Sequence, residues 1–444
     1  MSLYYDPLYG NIDIDNIVFD MLGKCPELIR LRYIGLMNFK SLGMLPLTTV
    51  SRLEHTLGLA YLSQMFSGAN PSLHSINDLL VASLFHDVNC GSFGHSIEWA
   101  INRYKPYDHE AKVGWVTRKE KHERFSSLDV KPIFVDQPGI HRHNFGKKYI
   151  LDFDNINNII QGKGIFVLNN KGIDLDNIDN VFRMGLYLGL LSDEQRGYPA
   201  VLANNLTIKD GLDNFLIDEK YFYLIKFWHG LRSDIYRRFI YSREYMGFEN
   251  LLFRLVGEYT KQFDVDNIGN LFNFTDERLL WDFFTRSDAS ADLKTISKNL
   301  LLHSIPHAYS IFRTSDFVAK KSLMDPNHLD ELIAELNRIL INAKLYSGSS
   351  SNELYLHVTT DDRKTCRMID IYLDRPNEQR KESVGKDERY LLIAILGKQP
   401  LSVKEIGYVN DIFMKLIGDR KLGSYENVSF SEDKHMHGSS LFKQ

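Results

Sequence analysis

From residue 14 to about residue 320 the apolar side chains recur mainly at helical spacing, a pattern that confines most of the chain to a mainly α body. Leu53, Leu57, Tyr61 and Met65 share one helix face, and Ile178, Val181, Phe182, Gly185 and Leu188 share another. The run Ile76 to Phe85 is almost continuous Leu, Val and Ala. It predicts a helix buried on most sides and ended by His86-Asp87 and Gly91. Between residues 131 and 172 the pattern loosens around Pro132, Pro138 and several glycines. There Tyr149-Ile150-Leu151 and Ile165-Phe166-Val167-Leu168 read as short β-prone pieces.

After about residue 320 the text changes. Tyr346 to Asn352 has loop composition, and LYLHVTT, RMIDIYL and RYLLIAILG follow as β-like runs between charged turns. This predicts two domains, a helical one over 1–325 and a small α/β or β-rich C-terminal module over 326–444. A helix near residues 403–417 should close the module, and the residues from about 419, with His435 and His437, should form a solvated tail.

Composition narrows the function. The formal net charge of -4 gives no global attraction to nucleic acid or anionic membrane, so any phosphate-binding surface must be a local cluster of Lys and Arg. Three cysteines, Cys25, Cys90 and Cys366, lack paired spacing. They support neither a disulfide framework nor a structural zinc site, and they fit a reducing cytoplasm. The opening MSLYYDPLYGNIDID lacks the basic start and apolar run of a signal peptide, and no stretch approaches the ~20 apolar residues of a membrane span. A soluble, cytoplasmic chain with no membrane partner is expected. No GxxxxGK[ST] loop is present to support ATP-driven motor chemistry.

Three segments carry chemistry: Ser51 to Gly58 with His55, Leu84 to Asp87 with His86-Asp87, and Asp174 to Asp179 with Asp176. Imidazole and carboxylate together suit a divalent transition metal, and an incomplete protein shell leaves room for water and substrate. A His-Asp pair at a helix end is more often a cap or a core hydrogen-bonding group. The ordered series H…HD…D on successive helical segments is far more specific.

With these motifs in hand, the chain resembles the HD-domain deoxynucleoside triphosphate triphosphohydrolases. The resemblance runs through Asp6 to Ile12, Pro26 to Ile34, Ser51 to Gly58, His86 to His95, His122-Glu123, Lys171 to Arg183, Leu231 to Tyr241 and Thr275-Asp276-Glu277, over roughly residues 5–300. It implies an HD-domain helical bundle and hydrolysis of deoxynucleoside triphosphates to deoxynucleoside and tripolyphosphate. The metal ligands it implies are His55, His86, Asp87 and Asp176, holding Mn, Fe, Mg or Zn. Catalysis falls to His122, Glu98 and Asp87, with Glu98 orienting His122. Arg52 and His95 would contact phosphate, while Asn180, Arg232 and Tyr236 would contact the nucleotide. The resemblance further implies a homo-oligomer, a second nucleotide as activator, and a role in nucleotide-pool control or antiviral defence. The C-terminal module is the surface expected to meet a protein partner.

Four positions depart from that family's pattern. Cys90 stands where a second histidine is usual, Leu36 where a glutamine reads the sugar 3′-hydroxyl, Asn180 where a tyrosine packs under the sugar, and Met184 where an aspartate follows the arginine. The alternatives are therefore another phosphoester on the same site, such as a monophosphate, cyclic nucleotide or nucleic-acid end, and a catalytically weak nucleotide-sensing subunit. His141-Arg142-His143 is expected to be solvated loop, and the aromatic run Trp281, Phe283 and Phe284 core. Arg237, Arg238 and Arg243, interleaved with tyrosines, suit a nucleotide contact or an ordinary helix surface equally well.

Overall fold

A computed structural model describes residues 2–70, 75–104, 139–163, 168, 172–209, 212–263, 274–316, 323, 326–342, 354–362, 364–376, 378–420 and 424–428. The architecture is mainly helical with small sheets. Two compact units divide the chain, and each gathers separate stretches of it. The first holds Met1–Arg232, Leu252–Leu302 and Met368–Lys386, and the second holds Ser233–Leu251, His303–Arg367 and Asp387–Gln444. The units therefore interleave instead of parting near residue 325.

In the first unit, each of the three helices that carry the expected ligands is started by a side-chain cap. Ser51 Oγ accepts from Glu54 N at 3.2 Å at the head of Arg52–Ala69. Ser75 Oγ accepts from Asp78 N at 3.1 Å before Ile76–Phe85. Asp174 accepts from Asn177 N at 2.7 Å before Leu175–Tyr187. Each cap satisfies a backbone N–H that the first turn leaves open, worth about 1 kcal/mol. Arg52–Ala69 packs against Ile76–Phe85, Leu175–Tyr187 and Tyr198–Asn205. It buries Leu57, Leu59, Leu62 and Phe66, while Ile76–Phe85 is buried at every position from Asp78 onward, as its unbroken apolar run requires.

Among the described residues, two sheets belong to this unit. An antiparallel hairpin pairs Ser2–Asp6 with Gly10–Ile14. A three-stranded sheet sets Leu216–Asp218 parallel to Ile369–Arg375, which pairs antiparallel with Glu378–Val384. The run RMIDIYL thus joins the helical body and not the C-terminal module. Ile369, Ile371 and Leu373 point to one face and are buried, so that face must be covered. The expected strand at Tyr149-Ile150-Leu151 is a turn after the helix Phe145–Lys148. The Tyr149 ring stacks on Phe145 and its hydroxyl donates to Asp20, which pulls the chain out of extended geometry, and Ile150 takes φ +55°. Positions 165–167 lie outside the described residues, as do His435 and His437.

The second unit is an α/β layer. Its antiparallel sheet runs in the order Leu354–Asp362, Arg389–Gly397, His307–Thr314 and Glu426–Asn427. Leu354, Leu356 and Val358 alternate onto one face and pack with Leu332, Leu336 and Leu340 of Pro326–Asn342 and Val409 and Phe413 of Val403–Asp419. The intervening His357 and Asp361 meet Glu249 at 2.8 Å and the Tyr241 hydroxyl at 3.2 Å, so polar partners serve the other face. Val403–Asp419 is the closing helix expected near 403–417, and a capping box between Ser402 and Glu405 starts it. Among the described residues, no helix is long and apolar enough to cross a membrane.

Candidate metal centre

The segment before Arg52–Ala69 fixes where that helix begins. Leu36 N donates to Val50 O and Arg52 N to Ile34 O, both at 2.9 Å, so a short bridge pins the first turn. His55 lies one turn further on, His86 ends Ile76–Phe85, and Asp176 sits in the first turn of Leu175–Tyr187. These three side chains converge, with one donor atom of each within 4.8 Å of the others.

The two imidazoles are wired differently. His86 Nδ1 lies 2.8 Å from Ser83 O, a carbonyl that can only accept, so Nδ1 carries a proton. Against the effect of burial, Asp87 and Asp176 push the His86 pKa up, and Nε2, whose lone pair would face the cluster once its proton leaves, is buried with no hydrogen-bond partner. Asp176 Oδ1 lies 3.8 Å away and Asp87 Oδ2 3.4 Å, both too far for a good hydrogen bond. A buried, unpartnered imidazole nitrogen facing a carboxylate and a second imidazole suits a transition metal. His55 bridges two carboxylates, with Nε2 2.8 Å from Asp176 and Nδ1 2.7 Å from Asp179. The Nδ1–Asp179 contact has the form of the carboxylate–histidine–metal arrangement that orients a ligand ring. Asp87 pairs with the Arg52 guanidinium, Asp6, Glu54 and Asp179 pair with that of Arg183, and Asp176 faces the two imidazoles. A divalent cation would take the place of the proton that Asp176 and Asp179 favour on His55 Nε2. The residues fit a metal ion.

Asp87, expected as a fourth ligand, stands beside this trio. Its Oδ2 pairs with Arg52 Nη1 at 2.5 Å, and both side chains are buried. Arg52 Nη2 donates to Asn38 Oδ1 at 3.0 Å, a contact for which the sequence offered no sign. Gly94 makes this approach feasible. It has φ +53°, and a Cβ there would lie 2.1 Å from Asn38 Oδ1 and 2.4 Å from Arg52 Nη2. Gly94→Ala should displace the Arg52 guanidinium and destabilise the fold by about 1 kcal/mol or more from the left-handed backbone alone. Urea unfolding with phosphate-competition binding would test this, and unchanged stability and binding would refute it.

His95 Nδ1 lies 3.1 Å from Glu98 Oε2 one turn on, so Glu98 has a histidine partner within its own helix, Gly94–Asn102. His122, the expected catalytic histidine, lies outside the described residues. Arg232 is buried at the end of the first unit's opening stretch, whereas Tyr236 belongs to the second unit and packs edge-on to Phe239. Asn180 is half-buried, and its Oδ1 has no hydrogen-bond partner. Leu36, Cys90 and Met184 are buried, as small or apolar side chains in these positions should be. His141 and Arg142 fall in the short helix Gly139–Arg142 and not in a loop, with Arg142 and His143 exposed. Trp281 is 54% exposed, so only Phe283 of the expected aromatic core is fully buried.

The residues that sequence reading missed lie behind His55. Asp179 receives Arg183 Nε and Nη2 at 2.9 Å each and the Tyr9 hydroxyl at 2.7 Å. The i, i+4 spacing of Asp179 and Arg183, one turn beyond Asp176, was the available signal.

Electrostatics give the metal-free protein a pH dependence. Burial alone would lower the His55 pKa, but hydrogen bonds to Asp176 and Asp179 push it up to about 10. A folded value above the unfolded ~6.5 means the stabilisation is full below pH ~6.5 and is lost as pH rises through about 10. Thermal unfolding of chelator-treated protein at pH 6, 8 and 10 should show that decline, and His55→Gln should flatten it. Metal affinity should rise over the same window, because the ion competes with the Nε2 proton. An equal pH slope in His55→Gln would overturn this account.

No protein family and no curated protein matches the chain.

Proposed function

We propose that the chain is an HD-type, metal-dependent phosphohydrolase that cleaves deoxynucleoside triphosphates to deoxynucleoside and tripolyphosphate. One observation carries the reading: the unpartnered His86 Nε2 converges with His55 and Asp176 beside a buried Arg52–Asp87 pair. His55, His86 and Asp176 would hold the ion, with Asp87 next to them. A divalent ion held there would supply Lewis-acid chemistry, activating water near neutral pH and drawing charge from a phosphoryl oxygen.

The chain's own residues supply the rest. Each terminal nitrogen of Arg52 has a second N–H beyond the one given to Asp87 or Asn38 that would suit a phosphate oxygen, and its Nε has no hydrogen-bond partner. The bond to Asp87 holds the guanidinium at the rim of the cluster. The resemblance assigns the proton for the departing 5′-oxygen to His122. The described His95–Glu98 pair has the same chemistry, an imidazole oriented by a carboxylate.

The test is metal analysis of purified protein followed by a hydrolysis screen across dNTPs and NTPs with Mn, Mg and Fe, with products resolved by anion exchange. Tripolyphosphate formation that Asp176→Ala abolishes is expected. Protein that binds no metal, or activity indifferent to Asp176→Ala, would overturn the proposal. The buried, apolar Leu36 favours a second reading, the same centre acting on another phosphoester, and release of orthophosphate would select it.

A further inference from the structure

We infer that the N-terminal hairpin is a working part of the metal centre: Asp6 and Tyr9, acting through Arg183 and Asp179, hold His55 in the orientation and tautomer that bind a divalent cation. This rests on the metal-binding half of the proposed function and is independent of the substrate. His55, Asp176 and His86 are the candidate ligands; Asp179, Arg183, Tyr9 and Asp6 are positioning residues.

The chain of contacts is continuous and buried. The carboxylate of Asp179, which is completely buried, can only accept, so it keeps a proton on His55 Nδ1 and leaves Nε2 directed at Asp176 and the cluster. Three donors immobilise that carboxylate: Arg183 Nε, Arg183 Nη2 and the Tyr9 hydroxyl. Arg183 is itself completely buried, and its remaining bonds reach Asp6 Oδ2 at 3.1 Å, Asp6 Oδ1 at 3.3 Å and Glu54 Oε1 at 2.8 Å.

Asp6 therefore has two tasks. It anchors Arg183, and its Oδ1 accepts from Leu8 N at 2.8 Å and Tyr9 N at 3.1 Å, shaping the turn that delivers the Tyr9 hydroxyl to Asp179. Gly58 provides the space. A Cβ there would lie 2.0 Å from Arg183 Nη2 and 2.3 Å from Asp179 Oδ1, so the helix that bears His55 is cut back where the guanidinium passes. Burying one guanidinium among three carboxylates is expensive where apolar packing would fill the space. An orienting role for His55 accounts for its presence.

The test is isothermal titration of Mn2+ into the full chain, with the cobalt(II) absorption spectrum of loaded protein as a second readout. Asp179→Asn should weaken Mn2+ binding by roughly 10- to 100-fold, since an amide can donate to Nδ1 and shift the remaining proton to Nε2. Asp6→Asn and Tyr9→Phe should each weaken it by roughly threefold or more. Altered cobalt(II) bands in Asp179→Asn would mark a reoriented ring, which a purely structural role would not produce. Should Asp179→Asn fail to fold, Tyr9→Phe, which deletes a single hydroxyl, decides the matter. Wild-type affinity in all folded variants would overturn the inference while leaving the metal centre intact. A wild-type chain that takes up no metal would overturn both.

Discussion

A chain carrying His86→Ala should purify without a bound transition metal and, on the proposed function, lose nucleotide hydrolysis by more than the ~100-fold typical of removing an outer partner of a metal ligand. His86 is the cleanest ligand to remove. Its Nδ1 makes one hydrogen bond, to Ser83 O, and its Nε2 makes none, so truncation leaves no buried carboxylate without its partner. The cost to the fold should be about 1 kcal/mol for that bond together with a small cavity at the end of Ile76–Phe85. His55→Ala would be harder to interpret, because it also strips Asp179 and Asp176 of their shared partner. In His86→Ala only His55 and Asp176 of the trio would remain, two donors for an ion that usually takes at least three from protein in a catalytic site. Metal content and tripolyphosphate release measured on the same preparation decide the outcome. Retained metal and retained activity together would place the catalytic ion elsewhere.

His55, His86 and Asp176, which the structure brings together, were picked out by the ordered H…HD…D series and the resemblance, and the fold sets each at a defined helix position. Ser51, Ser75 and Asp174 are N-caps, and the unbroken run to Phe85 places His86 at a helix end. Convergence then follows from packing, since Arg52–Ala69 contacts both partner helices. The tie between Arg52 and Asp87 could not be read, because a guanidinium and a carboxylate 35 positions apart carry no periodic signature. Asp6 and Tyr9 lie more than 160 residues from the helix they brace and belong to a hairpin whose strands are too short to announce themselves. The division into units was hidden for a similar reason. Alternation marks Ile369–Arg375 as a strand but does not say which sheet will take it, and its partner Leu216–Asp218 is three residues long.

The largest stability effect should come from Arg183→Met. The substitution keeps an unbranched apolar stem but leaves Asp6 and Asp179 buried without their cation, and breaking one side of a buried ion group costs on the order of 3–5 kcal/mol. Urea unfolding of metal-free protein near neutral pH measures it. The pH dependence identifies the cause. Burial alone would lift the Asp179 carboxyl, but the Arg183 charge and the His55 hydrogen bond hold it well below the usual carboxylate range. In the wild-type chain its contribution is therefore present above the unfolded value of ~3.9 and is lost only as pH falls through the depressed folded value. Without Arg183 the folded value should rise, so the folded state would bind protons more readily and the deficit should shrink as pH falls towards ~4. Adding Asp179→Asn to Arg183→Met should recover part of the loss, because it removes the stranded charge; residues in one network couple by about 0.5–3 kcal/mol. A deficit below ~1 kcal/mol, the range of exposed pairs, would mean that water reaches the guanidinium and the network is not the rigid brace that His55 requires.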